Sequence, residues 1–125
     1  MIDPIAAEHT ALTLAADDAN GLYDMLFAFD RAFQDDLIEE RLRAAKQALR
    51  NLIARGWVRI WYASWTSPER ETPIPDPDAV IDNPHWWHNH VDRMVWFDAT
   101  DAGKKAFAQP EHELLAALSR RPTEM

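Results

Sequence analysis

Six basic side chains lie close together in an otherwise acidic chain, and they could bind an anion. Residues 41–59 hold six of the thirteen Lys and Arg residues and none of the twenty-one Asp and Glu residues. Because the formal net charge is −8, the rest of the chain carries −14. Phosphate groups are the anions that clustered Lys and Arg most often contact. The six residues are Arg41, Arg43, Lys46, Arg50, Arg55 and Arg59.

The segment from residue 35 to residue 55 has the pattern of an amphipathic helix with these bases on its exposed side. On a helix of 3.6 residues per turn, Arg43, Lys46, Gln47 and Arg50 form a contiguous patch. Such side chains contact phosphates and the guanine and adenine edges of the major groove. The pattern leaves open one long helix or two short ones with a turn near residues 42–45. The apolar stripe opposite the patch comprises Ile38, Leu42, Ala45, Leu49, Leu52 and Ile53.

The same charge pattern has a second interpretation that requires no ligand. Acidic residues at the start of a helix and basic residues at its end are both favoured by the helix macrodipole. Glu39 and Arg43 also have the spacing of a stabilising i,i+4 pair. The basic run is therefore equally typical of a helix face that only meets solvent.

The residues before and after this helix predict the elements that position it. Residues 5–18 and 22–33 predict two N-terminal helices. Gly56 is suited to the left-handed position that ends a helix. Residues 57–65 then alternate with a period of two, and we expect them to pair antiparallel with residues 91–97.

The C-terminal part predicts two short helices. Thr100 is suited to cap the first, which would run through Phe107, because its hydroxyl can accept from an amide of the first turn. Pro110 ends this helix or starts the next. The last helix would be amphipathic and contain Leu114, Leu115 and Leu118.

Two stretches resemble the winged-helix family. Residues 49–58, with Leu49, Leu52, Gly56 and the apolar pair after it, resemble the junction between a recognition helix and the first wing strand. Residues 96–107 (W-F-D-A-T-D-A-G-K-K-A-F) resemble the exit from the wing into the next helix. The chain is thus similar to small winged-helix proteins related to bacterial transcription regulators.

The resemblance implies an α+β fold in one domain, residues 1–125. It would be a winged helix with N-terminal helices, a two-stranded wing carrying a long Pro/Trp-rich insert at about residues 66–90, and C-terminal helices. It also implies transcription regulation by a dimer that binds double-stranded DNA, with the terminal helices forming the dimer. The DNA-binding residues would be Arg43, Lys46, Gln47 and Arg50 on the recognition helix, with Arg59 at the foot of the wing.

The charge of the insert favours a different function. Residues 66–91 contain five acidic residues and only one basic residue, Arg70, so phosphates would repel this wing. The alternative is an acidic protein-interaction module, similar to an inhibitor, immunity protein or antitoxin. Its partner or ligand surface would be Trp86 and Trp87, together with Trp61, Trp65 and Trp96. Equally, the insert could fold back so that its Trp rings fill a small core.

Other chemistry is not expected. His85, His88 and His90 have ring nitrogens that suit zinc, but they lie in a Pro-flanked loop, so we expect no bound metal. The chain has no Cys, only three Gly residues and no recognisable acid–base pair, so we expect no enzymatic activity and no cofactor. There is no run of apolar residues long enough to span a membrane and no secretory signal, so we expect a cytoplasmic protein.

Overall fold

The computed structural model describes residues 1–88 and 92–120. Within these ranges the chain forms six α-helices, one short 3-10 helix and a four-stranded antiparallel sheet. None of these helices is long and apolar enough to cross a membrane. In chain order the elements are α1 (Pro4–Asp17), β1 (Asn20–Gly21), α2 (Leu22–Ala32), α3 (Ile38–Ala54), β2 (Val58–Ser64), β3 (Ser67–Thr72), α4 (Pro77–Asp82), the 3-10 helix (Pro84–Trp87), β4 (Met94–Ala99), α5 (Asp101–Phe107) and α6 (Glu111–Leu118).

The sheet has the strand order β1-β4-β2-β3, and its centre is the pair that the alternating pattern predicted. β2 runs antiparallel to β4 from Val58 opposite Ala99 to Ala63 opposite Met94. The expected antiparallel pairing of these two segments is therefore confirmed. α3 is one continuous helix, which answers the question that the sequence left open.

The sheet and the insert contain more elements than the predicted two-stranded wing with its long Pro/Trp-rich insert. Residues 67–72 return beside β2 as a third strand after a short turn at Trp65 and Thr66. Later in the insert, α4 and the 3-10 helix form. A further short strand, β1, pairs Asn20 and Gly21 with β4. Two residues are too few to show a period, so this strand could not be predicted from the sequence.

The main core lies between the helices and the inner face of the sheet. Leu49, Leu52, Trp57 and Phe97 belong to one buried cluster. Trp57 lies just before β2, and its side chain packs in this core. Ile38 was assigned to the apolar stripe of α3, but it is 74% exposed, because the first turn of the helix extends beyond the core.

The end of α3 is defined by hydrogen bonds around Gly56. Gly56 has a φ of +77°, its amide donates to the Ile53 carbonyl at 2.9 Å, and the Trp57 amide donates to the Leu52 carbonyl at 3.0 Å. These two bonds form a Schellman motif, which satisfies carbonyls that the helix end would leave without donors.

The start of α5 is bonded to this same turn. The Thr100 amide donates to the Trp57 carbonyl at 2.9 Å, and its hydroxyl donates to the Gly56 carbonyl at 2.6 Å. The hydroxyl also accepts from the Gly103 amide at 3.1 Å, which is the predicted helix cap. A Cβ on Gly103 would lie 2.0 Å from the Trp57 carbonyl oxygen. The two stretches that resemble winged-helix motifs therefore contact each other through their backbones.

Arg55, the last residue before this turn, is buried and connects three helices. Its Nε donates to the Glu8 carboxylate on α1 at 3.2 Å, and its side chain is 1% exposed. Its other nitrogens donate to the carbonyls of Ala117, Leu118 and Arg120 at the end of α6, at 3.1, 3.0 and 2.6 Å. Burial raises the pKa of the Glu8 carboxyl, and the Arg55 charge opposes this effect.

We expect Gly103→Ala to destabilise the fold by about 3 kcal/mol, because the new methyl group meets backbone that cannot give way. In an ordinary helix the same change stabilises by about 0.5–1 kcal/mol, so the sign itself is informative. The measurement is urea unfolding followed by circular dichroism. Gly56→Ala is the matched control: nothing lies within 4 Å of its Cβ. It should cost only the left-handed backbone strain of about 1–2 kcal/mol. A Gly103→Ala protein as stable as the wild type would contradict the close contact with Trp57.

We expect Arg55→Ala to lower the free energy of unfolding by about 3–5 kcal/mol, because Glu8 would stay buried without its partner. Arg43→Ala on the same helix is the exposed control and should change stability by less than about 0.5 kcal/mol. The double variant Glu8→Ala/Arg55→Ala should cost less than the sum of the two single changes. Additive costs in this cycle would mean that the two side chains are not coupled.

Candidate functional site

The basic segment does not form one surface. Four of its six charged side chains pair with carboxylates elsewhere in the chain, namely Arg41, Arg50, Arg55 and Arg59. Arg55 is the buried residue described above. Arg41 closes the turn between α2 and α3: it donates to the carbonyls of Phe33, Gln34 and Asp36 and pairs with Asp30 at 3.0 Å. The side chains of Arg41 and Arg55 are therefore engaged in contacts that stabilise the fold.

Arg50 lies beside the acidic insert. Its Nε is 3.3 Å from a carboxylate oxygen of Asp78, and its Nη2 pairs with the carboxylate of Asp82. Both acids lie on α4, whose Val80 and Ile81 are buried in the main core. Of the predicted DNA-binding residues, Arg50 is therefore already bound by two carboxylates.

The other predicted residues of α3 remain on its outer side. Arg43 is exposed and Lys46 is half-buried, and neither pairs with a carboxylate in the part of the chain that the structure describes. Gln47 is exposed and donates to the Asn51 side chain at 2.9 Å. The structure thus brings Arg43, Lys46 and Gln47 together and leaves them available for contact.

Arg59 lies on the outer face of the sheet, the face that the helical core does not cover. Its guanidinium makes two bonds to Glu71 on β3, at 2.7 and 3.0 Å, and two to Asp98 on β4, at 2.8 and 3.5 Å. It lies 4.3 Å from the centre of the Trp61 ring. The bonds to Glu71 raise the pKa of Arg59, so its charge is fixed and already balanced.

The two tryptophans of the insert are not equally available. Trp87 is buried in the core, where its Nε1 donates to the Ile81 carbonyl at 2.8 Å, so it cannot belong to a partner surface. Trp86 is half-buried, with its ring 5.1 Å from that of Tyr62. The insert therefore folds back and buries the Trp87 ring in the main core. This agrees with the prediction that the Trp rings of the insert fill a core.

The histidines of the insert do not assemble a metal site in the described residues. His85 and His88 are exposed, and His90 lies outside the described ranges. No group of three His, Cys, Asp or Glu side chains within residues 1–88 and 92–120 could hold a metal ion. The absence of a bound metal stays a prediction.

A row of aromatic side chains crosses the outer face of the sheet, and we call it the aromatic strip. Trp61 and Trp96 are directly opposite each other on β2 and β4, and Trp65 stacks on Trp96 with ring centres 5.8 Å apart. Tyr23 packs against the same cluster from the first turn of α2, and Phe27 lies edge-on to Tyr23 at 6.2 Å. The strip is Phe27, Tyr23, Trp96, Trp61 and Trp65.

The side chains at the ends of the aromatic strip are exposed to solvent, and those at its centre are buried. Phe27 is 60% exposed and Trp65 is 48% exposed, whereas Trp61 and Trp96 are buried. Burial raises the pKa of Tyr23 and of the neighbouring Asp24 carboxyl, which also accepts from the Gly21 amide at 3.0 Å. The sequence pattern grouped Trp61, Trp65 and Trp96, but α2 gave no sign that Tyr23 and Phe27 extend the same surface.

The described surface offers two places where another molecule could bind: the outer side of α3 and the aromatic strip. The first could contact phosphates through Arg43 and Lys46, and the second could contact apolar or cationic side chains. No family model, curated protein or solved structure matches the chain.

Proposed function

We propose that this protein is a non-enzymatic winged helix that works as a protein-interaction module. The order of its elements supports the winged-helix assignment: three helices are followed by a strand that begins two residues after Gly56 and pairs antiparallel with β4. In this proposal α3 is the helix that corresponds to a recognition helix, and the wing comprises β2, β4 and the insert between them.

The observation that supports protein binding over DNA binding is the internal pairing of the basic segment. A DNA-binding surface gains affinity by releasing the counterions of several phosphates, so it needs several unpaired cations. Here Arg41, Arg50, Arg55 and Arg59 already pair with carboxylates of the same chain. Only Arg43 and Lys46 remain in residues 41–59 without a described ion pair.

Asp78 and Asp82, the two acids that pair with Arg50, are held in place by the packing of α4. Moving α4 away from α3 would expose Val80 and Ile81, which are buried at 6% and 0% exposure. Exposing two such side chains costs roughly 3–6 kcal/mol in total. A single freed Arg would regain less than this from one phosphate contact, at about 1.5–3 kcal/mol for a charged hydrogen bond. The carboxylates therefore stay beside α3, where they would repel a phosphate backbone.

The net charge indicates the chemistry of the partner. An acidic chain of charge −8 attracts a basic protein and repels nucleic acid over the same distances. Complementary charge would raise the rate of encounter and suppress acidic competitors. The proposed partner is thus a protein with a basic surface.

DNA binding is the second candidate function, and one observation favours it. Arg43, Lys46 and Gln47 lie together on the outer side of the helix that a winged helix would insert into the major groove. Two cations and one amide could contact phosphates and an adenine edge. The surface is smaller than the predicted set of five residues, because Arg50 and Arg59 are engaged elsewhere.

Fluorescence anisotropy with labelled random-sequence duplex DNA, measured at several salt concentrations, separates the two functions. We expect no saturable binding even at low salt, because the two unpaired cations are outnumbered by nearby carboxylates. The charge-reversal variant Arg43→Glu/Lys46→Glu should be folded and equally inactive. Wild-type binding that weakens steeply with salt, and is lost in this variant, would favour the DNA candidate.

The variant Asp78→Asn/Asp82→Asn is the control for masking, because it frees Arg50 without removing side-chain volume. We expect it to bind no DNA either. If this variant bound DNA and the wild type did not, α4 would be a cover over a DNA-binding helix, and the second candidate would replace the first.

A further inference from the structure

We infer that the aromatic strip is the docking face of this module, and that it takes a basic segment of a partner protein in which Arg or Lys side chains are interspersed with apolar ones. This inference rests on the proposed function and adds to it the surface and the chemistry of the partner. The strip includes none of the α3 side chains that the DNA candidate would use.

The exposure of the strip fits an interface. Hot spots of protein interfaces are rich in Trp and Tyr, and they lie where a partner can exclude water. Phe27 and Trp65 expose 60% and 48% of their surface, and Trp61 and Trp96 form a rigid base between them. Because the base is already packed, a partner would meet a surface that needs little ordering on binding.

The structure already contains the contact that we infer for the partner. Arg59 stacks on Trp61 while Glu71 and Asp98 hold its guanidinium from the sides. A guanidinium over an indole ring gains cation–π attraction, and the carboxylates add charge-assisted bonds. Trp65, which stacks on Trp96 in the same strip, is another indole, and half of its surface is open to such a cation.

The charged residues around the strip also favour a basic partner segment. Asp24 lies next to Tyr23, and Asp17 and Asp18 precede Ala19, which packs against the same cluster. The group of Arg59, Glu71 and Asp98 adds one further negative charge. Arg31, one helical turn after Phe27, is the opposing charge on α2. A basic segment would therefore be attracted to the strip, and a second copy of this acidic chain would be repelled.

A defined peptide tests the inference with the full chain. The probe is a short peptide of alternating Arg-Arg and Leu-Leu pairs, and its charge-matched control replaces each Leu by Ser. Isothermal titration at moderate salt should detect the Arg/Leu peptide and give at least about tenfold weaker binding for the Arg/Ser peptide. In a heteronuclear NMR titration, the indole N–H signals of Trp65 and Trp96 should shift more than that of Trp87, which is buried in the main core.

Substitutions locate the binding. Trp65→Ser and Phe27→Ser, singly and together, should each weaken the Arg/Leu peptide, and the double variant by at least about tenfold. Both residues are exposed, so the variants should remain folded, with a thermal unfolding midpoint close to that of the wild type; Trp65→Phe keeps a ring and should lose least. Ile38→Ser is the matched control, because Ile38 is more exposed than either and lies on α3. We expect it to bind as the wild type does.

Four results would overturn the inference. Equal binding of the two peptides would mean that charge alone attracts them. Unchanged binding by the double variant would place the contact elsewhere. A wild-type dimer in sedimentation that Trp65→Ser dissociates would mean that a second copy occupies the strip. If the peptide fails to bind and DNA also fails to bind, this inference falls while the proposed function stands; salt-sensitive DNA binding would remove the proposed function itself.

Discussion

The orientation of α3 depends on one buried side chain, Arg55. Its guanidinium meets the Glu8 carboxylate of α1 on one side and the last carbonyls of α6 on the other. A buried charge is tolerated only where every donor finds an acceptor, and here the helix end of α6 supplies acceptors that would otherwise lack donors. The next residue, Gly56, turns the chain into the sheet. The helical layer and the sheet are therefore joined at a point where no residue can shift without loss of a bond.

The second organising feature is that the chain uses its own acids to balance its basic segment. Glu71 on β3 pairs with Arg59 on the outer face of the sheet and so connects β3 to β2. Asp78 and Asp82 on α4 pair with Arg50 and connect the insert to α3. Surface ion pairs contribute little stability one by one. Their effect here is on position, because they join segments that lie 12 to 32 residues apart in the sequence. The clustered positive charge is thus used largely within the molecule.

The elements that could be predicted from the sequence are those with local signals. The period of two from residue 57, the Thr100 cap and the left-handed Gly56 each depend on neighbouring residues, and each was correctly identified. Most of the corrections concern contacts across long separations. The burial of Trp87 and the pairing of Arg50 with α4 depend on how the insert folds back. The third strand at residues 67–72 forms a local hairpin, but its sequence S-P-E-R-E-T is polar and contains Pro, so it shows no apolar alternation. A helical wheel can place Arg50 on an outer face, but it cannot show that a carboxylate from another segment meets it there. Only part of the aromatic strip could be predicted, for the same reason. The alternation in β2 indicated its Trp residues, but the sequence of α2 did not indicate that Tyr23 and Phe27 lie on the same face of the sheet.

The parallel rings of Trp65 and Trp96 have an optical consequence. Two indoles stacked at 5.8 Å and tilted by only 23° are close enough for their electronic transitions to couple. Coupled transitions of unlike orientation give a paired band in circular dichroism whose sign and size follow the angle between the rings. Trp96 is fixed by the bond from its Nε1 to the Ala63 carbonyl at 3.2 Å, so Trp65 is the ring that can turn. The outer face of the sheet therefore contains a chromophore pair whose spectrum changes when Trp65 changes its angle, and its state can be followed in the unlabelled protein.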